Sequence, residues 1–223
     1  MTNETAMHNP RPLNWGQPPA DLASLSMLLR HIQPQVMRNP HAEPQVSDAD
    51  RAKARPASVA LIFVAKPELQ LIFTRRAQGL PFSGQWCFPG GKSAPEDRDS
   101  VTTALRETYE EIGLKASNLK HLTSLGSYYT HSGFRMSPEV FFFDGVAGWQ
   151  TSAEVSEVLL IPLAAVADPE RYRLVWRTSD RGNYRFEYER QLISGPTISI
   201  CIQLLHRLSD QSLRNIGTAE DPN

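Results

Sequence analysis

The stretch GQWCFPGGKSAPEDRDSVTTALRETYEEIGL, residues 84–114, decides how this chain is read. Its first half lies in a loop, Gly79 to Lys92, that is dense in Gly and Pro. Its second half, Asp97 to Ile112, has a helical pattern. Val101, Ala104, Leu105 and Ile112 supply an apolar face, and Gly113 follows as a natural left-handed C-terminal residue. Glu107, Glu110 and Glu111 stand at i, i+3 and i+4, so their carboxylates project from one helix face. Like charges at that spacing repel by roughly a few tenths of a kcal/mol per pair. Arg106, beside them, is expected to orient or neutralise only one. Carboxylates converging on one spot are what a hard divalent cation requires, and such ions typically act on phosphate substrates. The glycines let main-chain groups approach the same spot without side-chain obstruction.

Outward from this stretch, the chain alternates strand and helix patterns. SVALIFVA (58–65) and LQLIFTR (69–75) are apolar runs of strand length, joined as a hairpin through Lys66-Pro67-Glu68. HLTSLGSYYT, SPEVFFFDG and EVLLIPL predict three more strands downstream. A short helix around Leu163–Ala167, a polar stretch over 170–190 and an apolar-rich helix over Thr197–Leu208 complete the compact part. Upstream, Asp21 is a plausible N-cap for a helix whose Leu22, Leu25, Leu28 and Leu29 share a face. The first twenty residues are polar and Pro-rich, and 34–56 reads as a connecting segment. The expected organisation is an N-terminal extension with one short helix (1–54), one compact domain (55–210) and a polar tail (211–223). Strands and helices in this order imply a layered α/β fold rather than a bundle or a sandwich.

Composition removes several alternatives. The chain has 223 residues, 40% of them apolar, with 23 Lys+Arg against 24 Asp+Glu. That near-neutral balance argues against a general nucleic-acid binder. No apolar run approaches the roughly 20 residues that span a bilayer, so no membrane partner is expected. The N-terminus, MTNETAMHNPRP, lacks a basic region followed by an apolar one, so no secretory signal is expected either. Two cysteines, Cys87 and Cys201, are too few for a disulfide scaffold or a Cys-rich zinc site. The expected location is the cytoplasm. Locally the charge is uneven: residues 96–111 carry six acids and two bases, whereas 51–76 carry six bases and one acid.

Residues 90–114 resemble the signature box of the Nudix hydrolases, G-x5-E-x7-R-E-U-x-E-E-x-G-U with U a bulky apolar residue. Gly91, Arg106, Glu107, Glu110, Glu111, Gly113 and Leu114 match. Thr108 replaces one apolar position, and the spacing from Gly91 to Arg106 is one residue longer, with Asp97 standing where the first Glu would be. The longer spacing, the lead-in at Gly84–Lys92, and the segments SGFRMSP (132–138) and AEVSEVLLIPLAAVADP (153–169) resemble the coenzyme A pyrophosphatase branch. The resemblance implies an α/β/α sandwich with a central mixed sheet and a loop–helix–loop site for Mg²⁺ or Mn²⁺. It makes Glu107 and Glu111 the principal ligands, with Glu110 beside them and the Gly90 carbonyl a candidate. Arg106 would hold the Glu107 carboxylate, and Arg75, Gly91 and Lys92 would touch substrate. The implied activity is hydrolysis of a diphosphate bond in a nucleoside diphosphate derivative, with coenzyme A or an acyl-CoA foremost. ADP-ribose, a dinucleotide or a sugar nucleotide is the alternative, and a nucleotide sensor without activity is a third reading. The general base is open between the helix carboxylates and Glu139, Glu154 and Glu157. A homodimer is compatible with this reading.

The branch's upstream motif, L-L-T-x-R-[SA]-x3-R-x3-G-x3-F-P-G-G, is only partly kept. Arg75 and Gly84 match, but Arg76 replaces the small residue and Leu80 the second Arg. Alternation along the strand puts Arg76 opposite Arg75, which reads as a surface arginine. Near the C-terminus, Ser194-Gly195-Pro196-Thr197 replaces the branch's Trp-Gly-x-Thr, with Pro196 suited to the first turn of the last helix. Gly90-Gly91-Lys92-Ser93 mimics the end of a P-loop, yet the first glycine that motif needs falls on Trp86. No zinc-protease or serine-hydrolase motif occurs, and His121, His131 and His206 are scattered.

Overall fold

The run at 58–65 is apolar at nearly every position because it is the central strand of the sheet, covered on both faces. The computed structural model describes residues 13, 15–42, 44–65, 67–145, 148–179 and 181–209. Its elements are α1 (Leu22–Leu29), β1 (Gln35–Val36), α2 (Asp48–Ala52), β2 (Arg55–Val64), β3 (Gln70–Arg76), β4 (Trp86–Cys87), β5 (Gly90–Lys92) and α3 (Ser100–Ile112). They continue as β6 (Leu119–Ser124), β7 (Gly126–Tyr129), β8 (Phe134–Phe143), β9 (Val155–Pro162), α4 (Leu163–Val166), β10 (Tyr172–Thr178), β11 (Arg181–Tyr188), β12 (Gln191–Ser194) and α5 (Pro196–Ser209).

β2 pairs in parallel with β8 from Arg55↔Phe134 to Phe63↔Phe142. Its other edge is shared by β3 at one end and β5 at the other, both antiparallel, so the sheet is mixed. Side chains alternate across it. Ala60, Ile62 and Val64 join Ile72, Ala104, Ile112, Phe141 and Phe143 beneath α3. Leu61 and Phe63 join Leu71, Phe73, Leu25, Leu29 and the apolar side of α5 on the opposite face. The result is the mixed α+β architecture, sheet between helices, that the sequence implies. No helix among the described residues is long and apolar enough to cross a membrane.

Three differences from the sequence reading have physical causes. The polar stretch 170–190 holds an antiparallel sheet, β10–β11–β12. Its buried positions, Gly182, Tyr184 and Phe186 in β11, alternate with polar ones, and the charged residues conceal the period of two. Segment 34–56 contains β1, which pairs with β7, and the short helix α2, capped by Ser47. The third difference is the start of α3 at Ser100 rather than Asp97. Asp99 caps it through Thr102 N–H at 2.7 Å, which leaves Asp97 outside the helix for another task. The hairpin joining β2 to β3 is present, with Phe63 opposite Leu71, although Lys66 lies outside the described residues. Residues 1–12 and the tail 211–223 also lie outside them.

Candidate active site

Strand β5 brings the glycine pair against β2 on the side where α3 packs, with Gly90 opposite Val59 and Gly91 opposite Ser58. Gly90 has φ +152°, and a Cβ there would meet the Ser58 carbonyl oxygen at 2.3 Å. A Cβ on Gly91 would lie 2.5 Å from the carboxyl of Glu107. The glycines are therefore required twice, once for backbone packing and once to make room for a carboxylate against the main chain.

Arg106 holds the cluster together. Its Nη1 donates to Glu107 Oε1 at 2.9 Å and to Glu110 Oε2 at 3.1 Å. Arg106 thus serves two of the three carboxylates, where the sequence reading expects one, because a guanidinium carries five donors in a planar fork. The rest of the fork is fixed from behind: Nε and Nη2 grip Asp97 at 3.1 and 2.9 Å, and Nη2 also donates to the Lys92 carbonyl at 3.0 Å. Asp97 accepts further bonds from Ala94 N–H and Thr103 Oγ1, and its carboxyl is held far below the usual range, first by Arg106. The residue that looked like a displaced member of the signature is the anchor of Arg106.

Glu111 is the frustrated member. Its side chain is buried, with one bond from Gly90 N–H to Oε2 at 3.3 Å. Burial pushes its pKa up to about 8, opposed by the Gly90 bond and Arg76 and reinforced by Glu107 and Glu154. Glu107 is also raised, again first by burial, against the pull of Arg106. Among the described residues no three His, Cys, Asp or Glu side chains close into a ready-made cage. Two neighbouring raised carboxylates and a glycine cradle beside them nonetheless fit a hard divalent cation, whose charge would reverse both shifts.

The carboxylates left open as bases separate cleanly. Glu139 in β8 is buried and accepts from Ser100 Oγ at 2.7 Å, from Ser124 Oγ, and pairs with His121 Nε2 at 2.9 Å. Ser100 opens α3 about 10 Å along the helix axis from Glu107, so Glu139 is committed elsewhere. Glu157 pairs with Arg75 at 3.2 Å. Glu154 pairs with Arg76 at 3.7 Å and raises both Glu107 and Glu111, so it shares the space of the cluster.

The two arginines of β3 part company as alternation requires. Arg75 follows Leu71 and Phe73 onto the face away from α3, where it lies 5.8 Å from the Trp86 ring and donates to Gly84 O at 3.3 Å. The structure does not bring it to the carboxylates. Arg76 is on the α3 side, with its side chain 29% exposed, so it is not the surface arginine expected. The step that failed was the assumption that the face opposite Arg75 is solvent; the carboxylate cluster of α3 lies there. Lys92 is exposed in β5, beside Gly91.

The unit is a glycine loop and a helix presenting clustered carboxylates, braced by a half-buried arginine. The NUDIX domain model matches residues 54–180. The chain is 34% identical over 165 residues to a Yersinia enterocolitica protein named Uncharacterized Nudix hydrolase NudL, covering 71% of this chain and 84% of that one. A Yersinia pestis protein of the same name is 33% identical over 163 residues, covering 71% and 82%. Among solved structures, the M. Smegmatis Nudix hydrolase RenU aligns with 76% of this chain and 89% of that one at 15% identity and a TM-score of 0.48. The chain belongs to the Nudix family and is a Nudix hydrolase. Enzymes of this family generally use divalent metal ions.

Proposed function

We propose that this Nudix hydrolase cleaves a diphosphate bond with Mg²⁺ or Mn²⁺, and that coenzyme A or an acyl-CoA is its substrate, giving phosphopantetheine and adenosine 3′,5′-bisphosphate. The observation that carries the reaction is the half-buried Glu107 and the buried Glu111 against the glycine cradle, with Arg106 fixing Glu107. Glu107 and Glu111 would hold the ion, with Glu110 and the Gly90 carbonyl beside them. When bound, the ion supplies neutralisation of diphosphate oxygens and acidification of water. The chain's own part is positional and protolytic. Arg106 keeps Glu107 and Glu110 from splaying, and the Asp97 clamp keeps Arg106 from following the substrate. A water oxygen attacks one phosphorus, the bridging P–O bond breaks, and the departing phosphate takes the electron pair. The proton of that water goes to a carboxylate; the contact of Glu154 with the Glu107–Glu111 cluster supports Glu110, Glu111 or Glu154 in that role, and the other commitments of Glu139 and Glu157 speak against them. Gly91 and Lys92 border the cluster as substrate contacts. Arg75 fits that role poorly, because Glu157 holds it on the other face.

The coenzyme A assignment rests on the extended sequence resemblance, and Leu80 in place of the second Arg speaks for the alternative, ADP-ribose, a dinucleotide or a sugar nucleotide. The deciding experiment is a Mg²⁺ panel of coenzyme A, acyl-CoA, ADP-ribose, NADH and dinucleotides, with products identified by mass. Phosphopantetheine with adenosine 3′,5′-bisphosphate supports the branch. AMP from ADP-ribose without turnover of coenzyme A rejects it, and binding without cleavage of any member indicates a sensor.

A further inference from the structure

The loop between β3 and β4 carries an aromatic ring that the fold itself does not use. Phe82 is 65% exposed, the most exposed of the large apolar side chains among the described residues. It also has φ 62°, a left-handed conformation that is an outlier for a bulky residue. The loop is nevertheless tied down: Ser83 N–H donates to Leu80 O at 3.1 Å, Gln85 N–H to Phe82 O at 3.3 Å and Gly84 N–H to Arg76 O at 2.8 Å. A strained backbone held in place to present a ring to solvent is an arrangement found at binding sites.

Arg76 joins this loop to the carboxylate cluster. Its Nε donates to Pro81 O at 2.9 Å, one residue before the ring, while Nη2 faces Glu154 at 3.7 Å. Nη1 has no protein acceptor among the described residues, so the guanidinium retains donors for a ligand. Arg76 stands at the strand end on the face where α3 lies, and the loop it supports, 77–85, carries no cation of its own.

We propose that Phe82 and Arg76 form the nucleotide-recognising rim of the active site, the Phe82 ring stacking on the base and the Arg76 guanidinium binding phosphate oxygens. This rests on the hydrolase reading above and adds to it a preference for substrates that present an unencumbered base next to the diphosphate. Stacking tolerates any base because each has a π face, whereas the planar guanidinium fork pairs with phosphate oxygens. The two residues therefore contribute separable parts of recognition.

The test is equilibrium binding to the full chain, with Ca²⁺ as the divalent ion, of etheno-ADP by its fluorescence and of inorganic pyrophosphate by competition. Phe82→Ala should weaken etheno-ADP about tenfold and leave pyrophosphate within about twofold, with Phe82→Trp restoring nucleotide affinity. Arg76→Ala should weaken both ligands about tenfold, with Arg76→Lys partly restoring them. Thermal midpoints of all variants close to the parent's establish that the loop has not collapsed. Phe82→Ala leaving etheno-ADP unchanged, or weakening both ligands equally, overturns the stacking assignment. Arg76→Ala leaving pyrophosphate unchanged overturns the phosphate assignment. Failure of the hydrolase reading is distinguishable, because that shows as no Mg²⁺-dependent cleavage of any nucleotide in the substrate panel while binding persists.

Discussion

Two glutamates are buried on the side of the sheet that α3 covers, and they have opposite fates. Glu139 is 1% exposed and Glu111 is 6% exposed, so burial does not distinguish them. Their partners do. Glu139 is met by two hydroxyls and an imidazole, which saturate its oxygens and tie α3 to β6 and β8. Glu111 has one backbone N–H and two like-charged neighbours, and its pKa rises to about 8. A carboxylate that the fold satisfies is structural. One that the fold leaves unsatisfied needs something from outside.

The largest effect that would break this contrast is on turnover. Glu111→Gln should lower Mg²⁺-dependent kcat about a thousandfold with an unchanged circular dichroism spectrum. Glu139→Gln should leave kcat within about twofold, so equal losses in the two variants would abolish the distinction. Stability should respond in the reverse order. Glu139→Ala strands three donors and should cost about 2–3 kcal/mol in chemical denaturation, whereas Glu111→Gln should stabilise the metal-free chain at neutral pH.

The pH dependence sharpens the same point. The folded chain keeps a proton on Glu111 up to about pH 8, while the unfolded chain releases it near 4.5. Between those values the native state binds more protons than the unfolded one, so this contribution is complete below pH 4.5 and is lost as pH rises towards 8. Chelator-treated protein should show a falling thermal midpoint across that window, which Glu111→Gln should flatten. An identical slope in the variant would mean that another group dominates. The smaller effects concern the outer carboxylates. Glu154→Gln should lower kcat about tenfold through loss of a group beside the cluster. Glu157→Gln, paired with Arg75 on the other face, should change kcat by less than about twofold.

The legible part of this protein was what local rules govern. The spacing of Glu107, Glu110 and Glu111 placed three carboxylates on one helix face, Gly113 ended that helix with φ 74°, and the apolar run at 58–65 marked a strand. Strand β11 was missed because its inward aromatics alternate with arginines, so mean polarity hid the period. The sequence reading put Asp97 where the signature's first Glu would stand but gave it no partner: its bond to Arg106, nine positions away, crosses a turn that helical spacing does not describe.

The sequence by itself determined the family, the carboxylate face, the glycine cradle and the opposition of Arg75 to Arg76. These follow from helical and strand periodicity and from the absence of a side chain on glycine, all properties of a few consecutive residues. Only the tertiary structure decided which face of the sheet carries the carboxylate cluster, which of three outlying glutamates stands near it, and which buried glutamate has the fewest partners. Those outcomes depend on partners brought from 18 to 82 positions away, as His121 to Glu139 and Arg75 to Glu157 show. Desolvation and charge act through space, so a carboxylate's neighbours, and with them its chemistry, exist only once the chain has folded.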